Sequence, residues 1–439
     1  MHSSWIFLKG VMKNEMKNKR REFLKQAGSL SSISLLGLNE INIYEATAHS
    51  PEYTFNADPG ESIIGQYGPW SSAWMDQKIP SLSFRSKSFA NLESWKKLAK
   101  NKLLDRLAIP KIGPMPTVTI VKELEYDGLH VQEITWQLPY GRPTEAIVLK
   151  PSNASGKLPG ILAFHDHGGN KYFGTRKITK TSDVQHPMMV AHQRDYYEGR
   201  AWANELARRG YIVMVSDAFP FASRRVMMQD IPERMREGLS DDNPELQSNI
   251  DAYNKWAGQH EHIMAKSLFS SGTTWPGVFF AEDQKALDIL CSRPDVDAAK
   301  IGCCGLSGGG MRTVFMGGID PRIKCAVPVG FMTTWKDFVL HKSFTHTWMT
   351  YVPILPNEMD FPEILGLRTP LPTLVLNDSD DQLYTLPEMQ RADDILKVVY
   401  KKAGAEKKYK CSFYPGPHKF DKPMQEEAFD WFDQWLKGK

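Results

Sequence analysis

Residues 301–317, IGCCGLSGGGMRTVFMG, join a short apolar run to a helix-like run through a glycine-rich turn. The apolar run Ile301–Gly305 is typical of a strand buried on both faces, and Met311–Gly317 has the character of a helix. The segment GLSGG at 305–309 therefore fits the G-x-S-x-G pattern in its required strand-to-helix context. Small neighbours permit the sharp turn that exposes a serine hydroxyl, so we predict that Ser307 is a nucleophile.

Short apolar runs alternate with helical runs on both sides of this turn. The predicted strands are Gly160–Phe164, Ile212–Ser216, Ile301–Gly305, Ala326–Val329, Thr373–Leu376 and Cys411–Tyr414. The predicted helices are Ala201–Arg209, Phe279–Leu290 and Pro387–Ala403. This alternation indicates an α/β fold with a mostly parallel sheet between two layers of helices. Residues 118–149 hold alternating runs around turn signals at 127–128 and 140–141, which predict antiparallel strands at a sheet edge.

A serine hydroxyl needs a base to become nucleophilic, and the base needs an acid to fix its tautomer. Three histidines follow Ser307. His418 lies in the loop PGPHKF at 415–420, directly after a predicted strand, and is the predicted base. His341 and His346 fall in a Trp- and Phe-rich insertion, where we expect surface or pocket-wall histidines. The loop NDSDDQL at 377–383 offers three aspartates for the acid.

Two backbone N–H donors are needed for the negative charge that develops on an attacked carbonyl. Gly308 supplies one, and the loop HDHGG at 165–169 is expected to supply the other through the N–H of His167. A zinc site is the alternative for this loop, because His-x-His after a strand also begins such sites. The strands near 212–216 and 326–329 end without histidine, so we predict no metal.

Composition excludes several function classes. The chain of 439 residues has a net charge of +3, and residues 1–48 alone hold seven basic and four acidic residues, so the remainder sums to zero. Without a basic run, no nucleic-acid partner is expected. No run of about 18 apolar residues predicts a membrane span. The five cysteines predict no disulfide framework, and the adjacent Cys303 and Cys304 are expected to pack on opposite faces of one strand.

Residues 1–48 have the pattern of an export signal. KRREFLK at 19–25 precedes a mildly apolar run from Ala27 to Leu38, and ATA at 46–48 fits a small-residue cleavage site. The segment resembles a twin-arginine signal peptide, which implies a periplasmic or extracellular protein; a disordered basic tail is the alternative.

Two further segments complete the predicted organisation. Residues 49–117 are expected to form an N-terminal extension with one helix, and residues 118–439 the catalytic domain. The helix is predicted because apolar residues recur at three- and four-residue steps before Pro110. Those residues are Leu92, Trp95, Ala99, Leu103 and Leu107.

Four motifs together resemble the bacterial α/β-hydrolase family related to dienelactone hydrolases and acetyl xylan esterases. They are HDHGG at 165–169 with YFG at 172–174, GLSGG at 305–309, the Asp380-Asp381 pair, and FYPGPH at 413–418. The resemblance covers roughly residues 80 to 439 and implies the α/β-hydrolase fold and esterase activity, often on acylated carbohydrates. Placed against the family's loop, Asp381 aligns with the triad acid, and Asp380 is the alternative. This chain differs from the dienelactone hydrolases proper in having Ser rather than Cys as nucleophile and in its greater length.

The extra length lies at residues 169–195 and 219–275, after strands at the catalytic end of the sheet, where insertions form lids and pocket walls. The predicted substrate contacts are Tyr172, Phe173, Trp275 and Arg312. The alternative for the three aromatic residues is ordinary packing, and the alternative for Arg312 is a pair with a lid carboxylate.

The sequence, with the resemblance, therefore predicts a serine carboxylic-ester hydrolase that works through an acyl-enzyme and needs no cofactor. The expected reaction is deacylation, specifically deacetylation, of a carbohydrate or polysaccharide fragment, with a small-molecule or oligosaccharide ester as the substrate. A serine peptidase and a dienelactone-type hydrolase are the enzymatic alternatives. Peptidases of this fold usually carry a propeller domain, for which residues 49–117 are too short. A catalytically silent binding protein would need none of Ser307, Asp381 and His418.

Overall fold

A computed structural model describes residues 62–76 and 79–438. The export signal expected at residues 1–48 lies outside the described residues. Within them, no helix combines the length and the apolar character that crossing a membrane requires.

One mixed sheet of nine strands organises the described chain, in the order β1-β2-β3-β5-β4-β6-β7-β8-β9. The pairs β1/β2, β2/β3 and β3/β5 are antiparallel, whereas all pairs from β5 to β9 are parallel. The strands are β1 Val118–Tyr126, β2 Leu129–Trp136, β3 Thr144–Pro151, β4 Leu158–Phe164, β5 Ile212–Ser216, β6 Val296–Leu306, β7 Ile323–Val329, β8 Thr373–Asp378 and β9 Tyr409–Tyr414. The antiparallel edge and the parallel centre agree with the sequence prediction.

Helices follow or connect the strands. They are α1 Tyr67–Asp76, α2 Leu92–Leu107, α3 Pro187–Tyr197, α4 Trp202–Arg208, α5 Gln247–Ser270, α6 Trp275–Ser292, α7 Gly308–Ile319, α8 Trp335–Asp337, α9 Leu355–Glu358, α10 Phe361–Gly366, α11 Leu386–Lys402 and α12 Lys422–Phe432. Short 3₁₀ turns occur at Thr175–Lys177, Ala222–Arg224, Met228–Asp230, Glu233–Met235, Ser343–Thr345, Trp348–Thr350 and Glu406–Lys408, and π-helical turns at Phe338–Lys342 and Asp433–Lys437.

Helices cover both faces of the sheet, and each face has its own apolar core. Strand β6 shows the division, because Cys303 belongs to one core and Cys304 to the other, with both side chains fully buried. Successive side chains of a strand point to opposite faces, as predicted for this pair. The five cysteines of the chain are all free thiols.

Between residue 62 and β1, the described residues form two helices, where the sequence predicted one. The predicted helix is α2, whose Trp95, Ala99, Leu103 and Leu107 are buried. The additional helix α1 begins YGPW, and its glycine and proline mask a helical period that the aromatic residues would otherwise show. The order of this segment depends on tertiary contacts, which the sequence pattern does not show. One of them is the hydrogen bond that Ile63 N–H donates to Leu340 O.

Three long connections leave the carboxyl ends of strands on the side where β6 ends. The one after β4 contains α3, the one after β5 contains α5, and the one after β7 contains α8, α9 and α10. The carboxyl edge of a parallel sheet is where α/β proteins bind ligands. These connections therefore enclose the edge at which Ser307 lies.

Candidate active site

Ser307 occupies a strained turn between β6 and α7. Its backbone angles are φ 57° and ψ −120°, in a region that residues other than glycine rarely adopt. The turn is tight because a Cβ at Gly305 would lie 2.6 Å from the carbonyl oxygen of Phe164, and one at Gly309 would lie 2.4 Å from the same oxygen. The two outer glycines of the motif are therefore required by the close approach of β4, and the turn presents Ser307 at the end of the sheet.

His418 and Asp381 come together across two loops. Asp381 follows β8, His418 follows β9, and His418 Nδ1 lies 2.6 Å from Asp381 Oδ2. The other carboxylate oxygen of Asp381 accepts a hydrogen bond from the backbone N–H of Leu383 at 2.9 Å. Both oxygens of the buried Asp381 are thus engaged, which fixes the carboxylate against the imidazole.

The remaining nitrogen of His418 is the one available for proton transfer. His418 Nε2 is buried and has no hydrogen-bond partner within the described chain, and both His418 and Ser307 line the same cavity. Catalytic hydrogen bonds are often loose before substrate binds. Burial disfavours the charged ring, but the hydrogen bond to Asp381 and the charges of Asp381 and Asp378 outweigh it and raise the pKa of His418.

Asp380, the alternative acid, has a different role in the loop. Its Oδ2 accepts a hydrogen bond from Gly416 N at 2.8 Å, and its own N–H donates to Gly416 O at 3.2 Å. Asp380 thus ties the acid loop to the histidine loop and does not contact the imidazole. The loop pattern alone offered both aspartates and the family resemblance favoured Asp381, which is the one that contacts His418 in the fold.

The predicted oxyanion donors are neighbours in space. A Cβ built on Gly308 would lie 3.2 Å from the backbone nitrogen of His167. Neither N–H is used in a hydrogen bond within residues 62–76 and 79–438. Two unused N–H groups beside Ser307 are what an oxyanion hole requires.

The two histidines of the HDHGG loop have both ring nitrogens occupied. His165 Nδ1 donates to Asp166 O at 3.0 Å, and its Nε2 accepts from Ala218 N at 3.2 Å. His167 Nδ1 accepts from Gly169 N at 3.1 Å, and its Nε2 donates to Glu261 at 3.1 Å. Burial lowers the pKa of both rings, so both are neutral. Each ring is held by the protein, which leaves no lone pair for the zinc site considered from the sequence.

A second cluster has the donor types of a cation site. Ligand atoms of Asp378, Asp381 and His418 lie within 4.8 Å of one another in the described chain. His418 Nδ1 is already hydrogen-bonded to Asp381, and Asp378 accepts from Lys419 N at 3.1 Å. Burial raises the pKa of Asp378 to about 7, so this carboxyl group titrates near neutrality. The cluster is best explained as the acid–base pair with a neighbouring acid.

One cavity of about 290 Å³ contains these groups, with Ser307, Gly308, His167 and His418 in its wall. Its remaining wall is mainly apolar and comes from the connections after β4, β5, β7 and β8 and from helix α6. The main apolar contributors are Tyr196, Phe221, Phe279, Phe331, Met349 and Leu383. The cavity can hold a small group at the serine while the connections limit the access of water.

Arg312 is the one predicted substrate contact that lines the cavity. It is buried, and its Nε and Nη2 donate to Asp283 of α6 at 3.0 and 2.5 Å. Its guanidinium group lies 4.4 Å from the centre of the Phe164 ring. A carboxylate pair is therefore present, although Asp283 lies outside the two insertions. Nη1 has no hydrogen-bond partner among the described residues, so the N–H groups of this nitrogen remain unused.

The other three predicted contacts are not among the residues that line this cavity. Tyr172 packs against Phe173 and Tyr253, with ring centres 5.1 and 6.0 Å apart. Phe173 is fully buried in a small cluster with Met189 of α3 and Ile250 of α5. Trp275 begins α6 and is buried in the main core. The three aromatic rings pack the insertions against the rest of the protein. Ordinary packing was the alternative considered for them from the sequence.

His346 was expected from the sequence to be a surface or pocket-wall histidine, whereas Glu261, which contacts His167 but does not line the cavity, was not assigned. His346 lines the cavity, donates from Nε2 to Leu383 O at 2.9 Å, and is kept neutral because burial lowers its pKa to about 4. Glu261 of α5 accepts from His167, pairs with Lys171 Nζ at 2.5 Å, and accepts from Trp348 N at 3.3 Å. Although burial opposes ionisation, these partners lower the pKa of Glu261 to about 2. The only sequence signal was a glutamate on the inner face of an otherwise polar helix.

Comparisons with known proteins support the architecture. No family model matches the chain. YtaP of Bacillus subtilis (strain 168), a candidate hydrolase, is 24% identical over 329 residues, which are 75% of this chain and 95% of that protein. A candidate acetyl xylan esterase from Bacteroides fragilis has a TM-score of 0.56 at 16% identity, covering 79% of this chain and 81% of its own. The chain has the α/β-hydrolase fold.

A glucuronoyl esterase from Solibacter usitatus has the same fold, with a TM-score of 0.52 at 14% identity over 78% of this chain and 94% of its own. The α/β-hydrolase fold predicted from the sequence is thus confirmed, and the predicted resemblance to acetyl xylan esterases is found again in the fold. Within this fold, the turn after β6 and the loops after β8 and β9 are the elements that bring Ser307, Asp381 and His418 together.

Proposed function

We propose that this protein is a serine carboxylic-ester hydrolase that deacetylates a carbohydrate ester. The observation that carries the proposal is the convergence, in one cavity, of a serine in a strained turn and a histidine bonded at 2.6 Å to a buried aspartate. Two unused backbone N–H groups beside the serine complete the set. Acyl transfer needs a nucleophile, a base with an orienting acid, and an oxyanion hole.

The proposed reaction has two steps. Ser307 Oγ attacks the ester carbonyl while His418 Nε2 takes its proton, and the N–H groups of Gly308 and His167 donate to the negatively charged oxygen. His418 then protonates the leaving alcohol. In the second step His418 activates a water molecule, which releases the acyl group from Ser307. Asp381 holds the Nδ1–H tautomer and stabilises the charged ring.

The cavity favours an uncharged ester. Its arginine, Arg312, is neutralised by Asp283, and burial keeps His346 and His165 neutral. Asp166, the acid of the described wall, lies 3.7 Å from Lys177 Nζ and accepts a hydrogen bond from His192, so its charge is balanced within the protein. The free Nη1 of Arg312 is suited to a neutral substrate oxygen, such as a hydroxyl or ring oxygen of a sugar. Similarity to acetyl xylan and glucuronoyl esterases supports a carbohydrate as the alcohol or acid part.

Export is part of the proposal. An enzyme acting on polysaccharide fragments meets its substrate outside the cytoplasm, and residues 1–48 have the twin-arginine-like pattern described above. We propose a periplasmic or extracellular location. Fusion of residues 1–48 to a reporter that functions only after export tests it, with Arg20 and Arg21 both changed to Lys as the control. Export that is unaffected by this change would overturn the twin-arginine assignment.

The activity is tested with short-chain aryl esters and acetylated oligosaccharides, using the wild type and Ser307→Ala in the presence of a metal chelator. Activity that survives chelation and is lost in Ser307→Ala supports the proposal, and relative rates rank the esters. Equal activity in Ser307→Ala would overturn it. A negatively charged ester of equal size should be hydrolysed more slowly than its neutral counterpart, and the reverse order would overturn the substrate assignment.

A further inference from the structure

Lys177 is a fully buried lysine behind the loop that carries His167. It ends the 3₁₀ turn Thr175–Lys177, and its Nζ donates to the carbonyl oxygens of both Asp166 and His167 at 2.8 Å. Nζ lies 3.7 Å from Asp166 Oδ2 and 4.9 Å from the centre of the Phe221 ring. Burying an ammonium group is costly unless its donors are satisfied. Here the donors are committed to the backbone of a single loop.

The two carbonyls are not equivalent for catalysis. Asp166 C=O and His167 N–H are the two ends of one peptide group. Amide resonance couples the charge on the carbonyl oxygen to the acidity of the N–H, and hydrogen bonds in a chain polarise one another. A cation on the carbonyl side therefore strengthens the N–H as a donor. The same ammonium group also holds the carbonyl of His167 and so fixes the orientation of the next peptide group.

We propose that Lys177 is a positioning residue of the oxyanion hole, whose ammonium group holds and polarises the Asp166–His167 peptide. The inference rests on the proposed function, because it requires that the His167 N–H donates to a tetrahedral intermediate. Lys177 does not touch the substrate. It acts through the peptide, so its contribution is largest when negative charge has developed.

The loop around Lys177 is shaped for this arrangement. Gly168 and Gly169 follow His167 with φ of 52° and 64°, and a Cβ at Gly168 would lie 2.4 Å from Asp166 Oδ2. Asp166 Oδ1 accepts hydrogen bonds from His192 Nε2 at 3.0 Å and from the Tyr197 hydroxyl, whereas Oδ2 has no hydrogen-bond partner in the described chain. The Asp166 carboxylate thus balances the charge of Lys177, while the N–H donors of Lys177 remain hydrogen-bonded to the two backbone carbonyls.

Titration of Lys177 provides a readout that a purely structural role would not give. Burial lowers its pKa to about 8, against the attraction of Asp166. A neutral amine polarises the peptide less than an ammonium group, so kcat should fall as the pH rises through about 8. The other ionisable groups that face this loop are Asp166, Asp217, Lys171, His165, His167, His192, Tyr197, Glu261 and Arg312.

Stability responds in the opposite direction. Because the folded pKa of Lys177 lies below its unfolded value of about 10.4, the unfolded chain binds more protons between the two values. This group therefore makes the fold more stable as the pH rises from about 8 to about 10. Lost activity above pH 8 with unchanged or higher melting temperature separates titration from unfolding.

The direct test compares Lys177→Met with Lys402→Met. Lys402 is a matched control, because its Nζ also donates to two backbone carbonyls, Phe84 O at 2.6 Å and Ser86 O at 2.7 Å, far from the cavity in sequence and fold. Loss of one complete oxyanion donor costs about 10²–10³ in kcat. We expect Lys177→Met to lose about 10- to 100-fold in kcat with little change in KM, and Lys402→Met to keep the wild-type kcat.

Two further measurements keep the inference falsifiable. An arylboronic acid, which forms a tetrahedral adduct with a catalytic serine, should bind Lys177→Met more weakly by about the same factor as the loss in kcat/KM. The decrease in kcat near pH 8 should disappear in Lys177→Met. Lys171→Met is the control, because burial also lowers the pKa of Lys171, and this variant should keep the decrease. If Lys177→Met does not fold, Lys177→Met/Asp166→Asn removes both charges and is measured instead.

The outcomes distinguish this inference from the proposed function. Wild-type activity that is lost in Ser307→Ala but unchanged in Lys177→Met, with no limb near pH 8, would overturn the role of Lys177 alone. Wild-type protein without esterase activity, or active Ser307→Ala, would overturn the proposed function itself.

Discussion

The variant Asp381→Asn tests whether Asp381, and not its neighbour Asp380, is the acid of the proposed triad. The side chain keeps its size, and its oxygen can still accept from Leu383 N. The amide NH₂ would face His418 Nδ1, where the carboxylate now accepts at 2.6 Å. An amide donor at that position favours the tautomer with its proton on Nε2, and this ring cannot accept the proton of Ser307.

The size of the effect follows from the charge that is removed. A carboxylate and an imidazolium about 4 Å apart attract by about 4 kcal/mol at an effective dielectric constant of 20. At about 1.4 kcal/mol per factor of ten, losing this attraction lowers kcat about a thousandfold, and the wrong tautomer extends the loss toward 10⁴-fold. The carboxylate also raises the pKa of His418. Since only the neutral ring accepts a proton, the acidic limb of the pH profile should move to lower pH in Asp381→Asn.

The assay is steady-state hydrolysis of an aryl acetate across pH 4–9, with Asp380→Asn as the matched control. Asp380→Asn weakens the bond to Gly416 N, which contributes about 1 kcal/mol to stability, and should change kcat by no more than a few-fold. A large loss of kcat in Asp380→Asn together with near-normal Asp381→Asn would refute the assignment of the acid.

Three other outcomes are expected. Gly309→Ala should lower the free energy of unfolding by about 3 kcal/mol or more, because its Cβ would meet Phe164 O at 2.4 Å, whereas Gly258→Ala, with nothing within 4 Å, should be neutral or stabilising in urea denaturation. Arg312→Met should lower the free energy of unfolding by about 3–5 kcal/mol, because it leaves Asp283 buried and unpaired. The double variant Arg312→Met/Asp283→Leu should recover part of this stability. Equal stability of the single and double variants would contradict the pairing. Hydrolysis should be unchanged by a chelator, since both nitrogens of His165 and of His167 are occupied, and a loss restored by Zn²⁺ would revive the metal alternative.

The sheet and its central turn could be predicted because their determinants are local. Strands β4 to β8 each contain a buried apolar run, and GLSGG at 305–309 has a steric cause in the approach of Phe164 O to two glycines. The loops after β8 and β9 could be placed at one edge because parallel strands bring their carboxyl ends together. The sequence could not separate Asp380 from Asp381 by itself, because both lie in one loop and only the path of the chain decides which meets His418.

The roles of side chains in the insertions were less predictable, because the tertiary fold determines whether each side chain packs in the core or lines the cavity. Phe173 and Trp275 had the composition of a substrate site, yet their rings anchor the insertions. Phe331 and His346 contribute to the wall instead, and His346 comes from the Trp- and Phe-rich insertion in which the sequence predicted surface or pocket-wall histidines. The burial of Lys177 could not be predicted locally, since a single lysine is ordinarily exposed and its burial depends on carbonyls eleven and ten residues away.

The central claim is that Ser307 becomes acylated, and a covalent adduct reports this most directly. The protein is treated with a phosphonofluoridate that carries an aryl or alkyl group, and its intact mass and tryptic peptides are measured beside those of Ser307→Ala and Asp381→Asn. We expect one adduct per chain, located on Ser307, absent from Ser307→Ala and formed much more slowly in Asp381→Asn. No adduct on the wild type, or the same labelling in Ser307→Ala, would contradict the account.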